Sequence, residues 1–208
     1  MDKASPTVYV VDDDDSVRST LIQMIRVSGY PVKAFSSANE FLIAPPPKRP
    51  TCLLLDVCMP GMDGLKLQEI LRSSEDRDIP VIFLTGQGNV PDSVKAMKAG
   101  AVDFLLKPVL LSELQSSLRT AIEKDTRNIT QKTASGRIKK LLGSLTPREY
   151  ETFVLVAAGM PNKRVADRMA IAEKTVKVHR SRVMAKMKVR TFADLVRLAQ
   201  DAGIKSPG

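Results

Sequence analysis

The chain is poor in cysteine and histidine, and it contains no long apolar run. Its 208 residues include two Cys and one His. Two cysteines are too few for a disulfide framework, and without Cys or His companions they do not form a zinc motif. Neither a membrane anchor nor a secretory signal is recognisable. We therefore expect a cytoplasmic protein in which Cys52 and Cys58 are reduced and structural.

Charge is divided unevenly between the two halves of the chain. Residues 1–123 carry 13 Lys and Arg against 16 Asp and Glu, a net charge of −3, whereas residues 124–208 carry 19 against 7, a net charge of +12. Halves of opposite charge imply different partners. The basic half is a candidate for binding nucleic acid, because each neutralised phosphate releases condensed counterions. Basicity alone is equally compatible with a solvated basic surface.

Short β-type runs alternate with helical patterns in the first half. Strands are predicted at about 7–11, 31–35, 51–55, 80–84 and 103–106. Apolar residues share one helical face in three further segments: Val17, Leu21, Met24 and Ile25; Val90, Val94 and Met97; and Leu111, Leu114, Leu118 and Ile122. Such alternation predicts an α/β fold with a doubly wound, five-stranded parallel sheet that is covered by helices on both sides.

Polar residues follow four of the predicted strands. Asp12 and Asp13 follow the first, and Asp56, Thr85 and Lys107 follow the third, fourth and fifth. The functional crevice of such a sheet lies outside the carboxyl ends of its strands, so these residues are candidates for one site. Three converging carboxylates need a cation or a proton, and an all-oxygen pocket suits Mg²⁺. The set fits an acceptor for phosphoryl transfer, although each acid alone could be a helix cap or a solvated loop residue.

These residues resemble the receiver domain of two-component response regulators. The resemblance covers about residues 6–123 and rests on Asp12-Asp13, on Asp56 followed by Met59-Pro60-Gly61-Met62-Asp63-Gly64, on Thr85-Gly86 and on Lys107-Pro108. It implies a flavodoxin-like fold in which Asp56 is the phosphoacceptor and Thr85 and Lys107 contact the phosphoryl group. It also implies that Mg²⁺ is held by Asp12, Asp13, Asp56 and the backbone carbonyl of Cys58.

The same resemblance gives Phe104 a conformational role. Phe104 falls at the aromatic switch position, where an inward turn would report that Thr85 has moved toward the phosphate. A buried strand phenylalanine is the alternative interpretation.

Asp14 and Asp15 are expected to cap the following helix, because the helix dipole favours negative charge at that end.

Residues 124–143 are polar and are interpreted as a linker between a receiver at 1–123 and a second domain at 144–208. The first part of this segment could continue the preceding helix. Gly136 and the sparse apolar positions nevertheless argue against one unbroken helix.

The last segment predicts four short helices. Thr146, Pro147 and Glu149 have the spacing of a capping box with proline at the first helical position, and Gly159 is expected to end this helix. The other three are predicted from Asn162, as the cap, to about Ala170, from Glu173 to Met187, and from Thr191 to about Ala202. The short break between the second and third is typical of a helix-turn-helix.

The third of these helices is expected to bind DNA. Val176, Val183 and Met187 form its inner stripe, and its outward residues are Lys174, Lys177, Val178, Ser181, Arg182 and Ala185. Lys177, Val178 and Ser181 are the candidates for reading base edges. The candidates for phosphate contacts are Lys163, Arg164, Arg180 and Arg182. Each residue alone could belong to a solvated charged helix.

This segment resembles the helix-turn-helix output domain of the NarL/LuxR class over about residues 143–204. The resemblance rests on Leu145–Glu149, Asn162-Lys163 and Thr175–His179. One departure is Ala172, where the class usually has a capping serine, and a missing cap costs on the order of 1 kcal/mol. His179 is expected to be packed or phosphate-bonded. The whole chain resembles a FixJ/NarL-type transcriptional regulator.

That resemblance implies a regulator switched by phosphorylation. Its implied partners are a sensor histidine kinase, double-stranded DNA, RNA polymerase and a second copy of the chain. The segment from Val90 to Lys107 and the fourth output helix are both candidates for the dimer surface. Modification of Asp56 and slow loss of its phosphate are the only expected chemistry. A constitutive DNA-binding protein and an aspartyl phosphohydrolase are the alternatives, but the hydrolase needs a second acid where this chain has Cys58.

Overall fold

The computed structural model describes residues 5–74, 77–86 and 100–204. The chain divides into two compact units, Met1–Ile129 and Thr130–Gly208. Among the described residues, no helix is long and apolar enough to cross a membrane. The first unit carries the acidic site, and the second carries the basic helices.

Five strands among the described residues form a parallel sheet. They are β1 (Thr7–Val11), β2 (Val32–Phe35), β3 (Thr51–Asp56), β4 (Val81–Thr85) and β5 (Asp103–Leu106), in the order β2-β1-β3-β4-β5. The helices that the structure describes in this unit are α1 (Asp15–Val27), α2 (Ala38–Ile43), α3 (Gly64–Arg72) and the start of α4 (Leu111–Gly143). The predicted sheet is confirmed, with every strand boundary within one residue. The helical pattern at Val90, Val94 and Met97 lies outside the described residues.

The sheet is buried on both faces. Successive side chains along each strand point to opposite sides, and helices cover each side. One core lies between the sheet and helices α2 and α3, and it includes Val11, Leu53, Leu55, Phe41, Leu67 and Leu71. The other lies against α1 and α4, and it includes Val10, Leu54, Leu21, Ile25, Leu114 and Leu118. Helices on both faces leave the carboxyl edge of the strands open for a site.

Both cysteines are free thiols, but only one packs in the core. Cys52 is fully buried in β3, and burial raises the pKa of its thiol, so the group stays protonated and unreactive. Cys58 is exposed in the loop after β3. The prediction of a structural role therefore describes Cys52 and is wrong for Cys58.

Helix α4 is continuous over 33 residues, from Leu111 to Gly143. The prediction that residues 124–143 would not form one unbroken helix is wrong. A glycine in a helix interior costs about 1 kcal/mol relative to alanine. Around Gly136 this cost is offset by neighbouring Ala, Gln, Lys and Arg residues, which are good helix formers.

Asp125, which the sequence places in the linker, is instead fully buried in the first unit. Its Oδ2 accepts hydrogen bonds from the backbone N–H of Thr51 (2.8 Å) and from Nε of Arg49 (3.2 Å), and its Oδ1 pairs with the same guanidinium. A buried carboxylate needs such partners. These contacts hold α4 against the start of β3, so the first unit extends beyond residue 123.

The described part of the second unit is helical. It contains the end of α4, α5 (Pro147–Ala157), α6 (Asn162–Met169), α7 (Glu173–Lys186) and α8 (Phe192–Asp201). The predicted capping box is confirmed, since Thr146 Oγ1 accepts from Glu149 N (3.3 Å) and Glu149 Oε2 accepts from Thr146 N (2.9 Å). The break after α6 is confirmed by the left-handed backbone of Ala170, with φ of 53°. Gly159, with φ of 82°, follows the end of α5 as predicted.

Asn162 does not cap α6 as predicted. Pro161 occupies the cap position, and Asn162 is the first helical residue. The Asn162 amide oxygen instead accepts a hydrogen bond from Nη1 of Arg180 in α7 (3.2 Å). The residue therefore links two helices rather than starting one.

Candidate functional site

Three carboxylates meet at the carboxyl edge of the sheet. Asp12 and Asp13 directly follow β1, and Asp56 is the last residue of β3. One carboxylate oxygen from each residue lies within 4.8 Å of the others. Asp12 is fully buried, Asp56 is 6% exposed, and Asp13 is exposed. The predicted convergence of these acids is confirmed.

The start of α1 holds Asp12 in place. Asp14 caps α1 as predicted, because its Oδ1 accepts from the backbone N–H groups of Ser16 (2.8 Å) and Val17 (3.1 Å). The Asp14 backbone N–H in turn donates to Oδ1 of Asp12 (3.0 Å). Asp15 lies in the first turn and pairs with Arg18. The helix cap and the site acid are thus parts of one hydrogen-bonded loop.

Lys107 brings a positive charge between two of the acids. Its Nζ lies 2.7 Å from Oδ2 of Asp12 and 3.1 Å from Oδ2 of Asp56. Its backbone N–H donates to the carbonyl of Thr85 (2.7 Å), which places the side chain at the edge of the sheet. An ammonium group in this position offsets the repulsion between the buried carboxylates.

Burial and charge act in opposite directions on this pair. Burial raises the pKa of the Asp56 carboxyl, while the charge and hydrogen bond of Lys107 lower it, and the net change is upward. Burial alone would lower the pKa of Lys107, but its hydrogen bond to Asp12 and the charges of Asp12 and Asp56 outweigh this effect, so its pKa is raised. Lys107 therefore remains an ammonium group near neutral pH.

The loop after β3 folds back closely on Asp56. The backbone N–H of Gly64 donates to the carbonyl of Val57 (3.0 Å). A Cβ on Gly64 would lie 2.1 Å from the backbone oxygen of Asp56, so only glycine fits there. Asp63 caps α3 by accepting from Lys66 N (2.7 Å). The sequence shows Gly64 in its motif, but the close approach becomes visible only in the structure.

Thr85 and Phe104 lie beside this site. Thr85 ends β4 and is 4% exposed. Phe104 pairs with Phe83 across β4 and β5, and their ring centroids are 6.5 Å apart. Phe104 is only partly buried and packs at the margin of the core that faces α2 and α3. Phe104 is therefore less buried than the core phenylalanines Phe41 and Phe83, which are at most 1% exposed.

The donor set at this edge fits Mg²⁺. Hard divalent cations prefer carboxylate and carbonyl oxygens, and Mg²⁺ retains water on its open positions. Asp12 and Asp56 supply buried carboxylates, and Asp13 supplies an exposed one. Cys58 follows Asp56 by two residues, and its backbone N–H lies 3.4 Å from Oδ1 of Asp56, so its backbone lies beside that carboxylate.

Helix α7 presents a basic face to solvent. Its predicted inner residues Val176, Val183 and Met187 are at most 1% exposed. The residues predicted to face outward are all exposed: Lys174, Lys177, Val178, Ser181, Arg182 and Ala185. Lys163 and Arg164 are exposed on α6. The predicted orientation of α7 is therefore confirmed.

Known families match both units. Residues 8–119 match the family described as response regulator receiver domain, and residues 143–199 match that described as bacterial regulatory proteins, luxR family. Transcriptional regulatory protein FixJ from Rhizobium meliloti is 40% identical over 199 residues, which cover 95% of this chain and 96% of that protein. The chain belongs to the FixJ family of response regulators.

Further similarities extend over almost the whole response regulator. Nodulation protein W from Bradyrhizobium diazoefficiens is 43% identical over 199 residues, which cover 96% of this chain and 87% of that protein. The solved structure of the response regulator StyR has 41% identity and a TM-score of 0.85, covering 95% of this chain and 99% of that one. Membership of this family makes the protein a transcriptional regulator rather than a typical enzyme.

Two side chains of the response regulator's output unit have partners that the sequence does not reveal. Arg180, which the sequence predicts to contact phosphate, is half-buried and donates to Asn162. Lys186 donates to the carbonyl of Ser144 (3.0 Å) and to Oε2 of Glu149 (2.6 Å). Helical spacing could have predicted the partial burial of Arg180. The residue lies four positions after Val176 and three before Val183, so it shares the inner face of the helix with them.

Proposed function

We propose that this response regulator is switched by transfer of a phosphoryl group from a sensor histidine kinase to Asp56. The observation that supports the proposal is the grouping of the Asp12 and Asp56 carboxylates with the Lys107 ammonium at the open edge of the sheet, where Nζ of Lys107 lies 3.1 Å from Oδ2 of Asp56. The phosphorylated form dimerises and binds promoter DNA in the cytoplasm. RNA polymerase is its further partner at the promoter.

The reacting atom is a carboxylate oxygen of Asp56. It attacks the phosphorus of a phosphohistidine, the P–N bond breaks, imidazole leaves, and an acyl phosphate forms on Asp56. Lys107 pairs with one phosphoryl oxygen, and the hydroxyl of Thr85 donates to another. As Thr85 moves toward the phosphate, Phe104 turns inward, and this rotation changes the surface of the receiver around it.

Asp12, Asp13, Asp56 and the backbone carbonyl of Cys58 would hold Mg²⁺, which, when bound, offsets the negative charge of the carboxylate and the phosphoryl group. Asp12 is fixed for this role by the backbone N–H of Asp14. Asp13 remains exposed and can adjust to a ligand.

DNA binding is assigned to the exposed face of α7. Lys177, Val178 and Ser181 read base edges in the major groove. Lys163, Arg164, Lys174 and Arg182 contact phosphates and position the helix. A dimer places two such helices on half-sites about one turn of DNA apart.

Sedimentation velocity tests the switch. Beryllofluoride, a phosphoryl mimic, is added with Mg²⁺ to the wild type and to Asp56→Asn, which keeps the shape of the side chain and removes its charge. We expect the wild type to change from monomer to dimer and Asp56→Asn to remain a monomer. A wild type that does not change, or an Asp56→Asn variant that changes equally, would contradict the proposal.

DNA affinity under the same conditions separates the switch from constitutive binding. A regulator gated by Asp56 binds its promoter more tightly with beryllofluoride than without it. Equal affinities in the two states would favour constitutive DNA binding, with the receiver serving only as a docking scaffold.

A further inference from the structure

Arg180 lies where three helices of the output unit meet. Its Nη1 donates to Oδ1 of Asn162 at the start of α6 (3.2 Å), and its Cζ lies 5.5 Å from the ring centroid of Phe192 at the start of α8. We propose that Arg180 is a positioning residue that fixes α7 against α6 and α8, rather than a phosphate contact. The proposal rests on DNA binding by the output unit and does not depend on phosphorylation of Asp56.

The position of Arg180 along α7 supports this role. Val176 and Val183, four residues before and three residues after it, are at most 1% exposed. Residues three or four apart share a helix face, so Arg180 continues the buried stripe. It is half-buried, whereas Ser181 and Arg182 are exposed. The charged side chain thus leaves the helix toward its neighbours rather than toward the basic face.

The chemistry of the two contacts suits arginine alone. A planar guanidinium can donate to an amide oxygen at its edge while its face covers an aromatic ring, and a ring within about 6 Å attracts it. Asn162 and Phe192 are each the first residue of a helix. One side chain therefore sets the positions of two helix starts relative to α7. Lysine would keep the charge but lose the flat surface and the fork of donors.

This positioning has a consequence for recognition. Base reading requires the exposed side chains of α7 to reach the groove together, in one orientation of the helix. Phosphate contacts are less demanding, because they do not read base edges. Loosening α7 should therefore weaken binding to a preferred sequence and leave binding to an arbitrary sequence almost unchanged.

The test compares full-length variants, each without and with beryllofluoride and Mg²⁺, on two labelled duplexes of equal length. One duplex is enriched from a random library by the wild-type protein, and the other has an unrelated sequence. The variants are Arg180→Ala, Phe192→Leu, which changes no charge, and Arg182→Ala as the control for an exposed phosphate contact. Fluorescence anisotropy gives Kd between about 50 and 200 mM salt, at temperatures below every melting transition.

We expect Arg180→Ala and Phe192→Leu to bind the enriched duplex on the order of tenfold more weakly. Phe192→Leu should bind the unrelated duplex like the wild type. The slope of log Kd against log salt concentration should stay near the wild-type value for Arg180→Ala and Phe192→Leu. Arg182→Ala should reduce this slope by about one. A variant with both substitutions should bind no more weakly than Arg180→Ala alone, since Arg180→Ala already removes the contact between Arg180 and Phe192.

Two outcomes would overturn the proposal. If Phe192→Leu binds both duplexes like the wild type and Arg180→Ala reduces the salt slope by about one, Arg180 is a phosphate contact. If both variants melt at lower temperature but bind both duplexes like the wild type when folded, the contact serves stability alone. Failure of the wild type to bind either duplex, both without and with beryllofluoride and Mg²⁺, would instead contradict DNA binding by the output unit.

Discussion

At the scale of single residues, Gly64 shows how closely the backbone packs around the acidic site. Its α-carbon faces the carbonyl of Asp56, with space for a hydrogen and none for a methyl group. The loop between β3 and α3 can therefore stay near the Asp56 carboxylate only if residue 64 has no side chain. Function constrains this residue through its size, although it carries no reactive group.

Gly64→Ala is expected to lower the free energy of unfolding by about 1–3 kcal/mol, since the added methyl overlaps a backbone oxygen that cannot turn aside. Urea denaturation measures the loss. Gly136→Ala is the matched control. A Cβ at Gly136 meets none of the described atoms within 4 Å, and alanine in a helix interior should add up to about 1 kcal/mol. Equal effects of the two substitutions would refute the steric argument.

At the scale of helices and strands, stability depends on how the helices begin. Helices α5 and α8 each start with a capping box, at Thr146 and Thr191. Ala172 occupies the same position in α7, where its methyl group cannot accept a hydrogen bond. The helix that carries the predicted base contacts thus begins without the side-chain cap that stabilises α5 and α8.

Ala172→Ser should raise the melting temperature of the output unit, because a serine hydroxyl at the cap adds about 1 kcal/mol. Thermal denaturation followed by circular dichroism checks this. Ala185→Ser places the same side chain in the exposed interior of α7, where it should give no gain. An unchanged or lower melting temperature for Ala172→Ser would refute the capping argument.

Glu149 combines two roles in α5. It completes the capping box with Thr146 and pairs with Lys186 in α7 (2.6 Å). The hydrogen bond from Lys186, followed by that from the Thr146 backbone, lowers the pKa of Glu149 from its ordinary 4.5 to about 2. A carboxylate whose pKa is lowered on folding stabilises the protein above its unfolded pKa. That stabilisation is lost as the pH falls from about 4.5 to about 2.

Glu149→Gln should therefore destabilise the output unit near pH 6, and its deficit relative to the wild type should shrink as the pH approaches 2. Hydrogen exchange of α5 and α7 amides across this range measures both effects. Glu151→Gln is the control, because Glu151 pairs with Arg148 at an exposed site, with side chains 42% and 60% exposed. A deficit for Glu149→Gln that is independent of pH would contradict the assignment.

At the scale of the whole molecule, the sequence predicts what depends on local pattern. Strand alternation places Asp12, Asp56, Thr85 and Lys107 at one edge, because parallel strands share the direction of their carboxyl ends. The exposed and buried faces of α7 follow from helical spacing in the same way. These predictions need no knowledge of which distant segments touch.

The sequence does not predict contacts between distant residues. Arg49 and Asp125 are 76 residues apart, Lys186 and Glu149 are 37 apart, and Arg180 and Asn162 are 18 apart. Each of these side chains is polar, and from composition alone each fits a solvated surface. In the folded protein these side chains are instead paired with one another. Each partner comes within hydrogen-bonding distance only when the chain has folded.

The buried Asp125 sets a limit on where the receiver can be separated from the rest of the chain. A fragment of residues 1–123 matches the sequence boundary but lacks this carboxylate, so Arg49 and the N–H of Thr51 lose their acceptor. Removing one member of such a buried pair costs roughly 3–5 kcal/mol. A fragment of residues 1–129 keeps it, and should unfold at clearly higher urea concentration. Equal midpoints for the two fragments would show that Asp125 is dispensable. A higher midpoint for the longer fragment would show that residues 124–129, which the sequence assigns to the linker, are needed for the stability of the receiver.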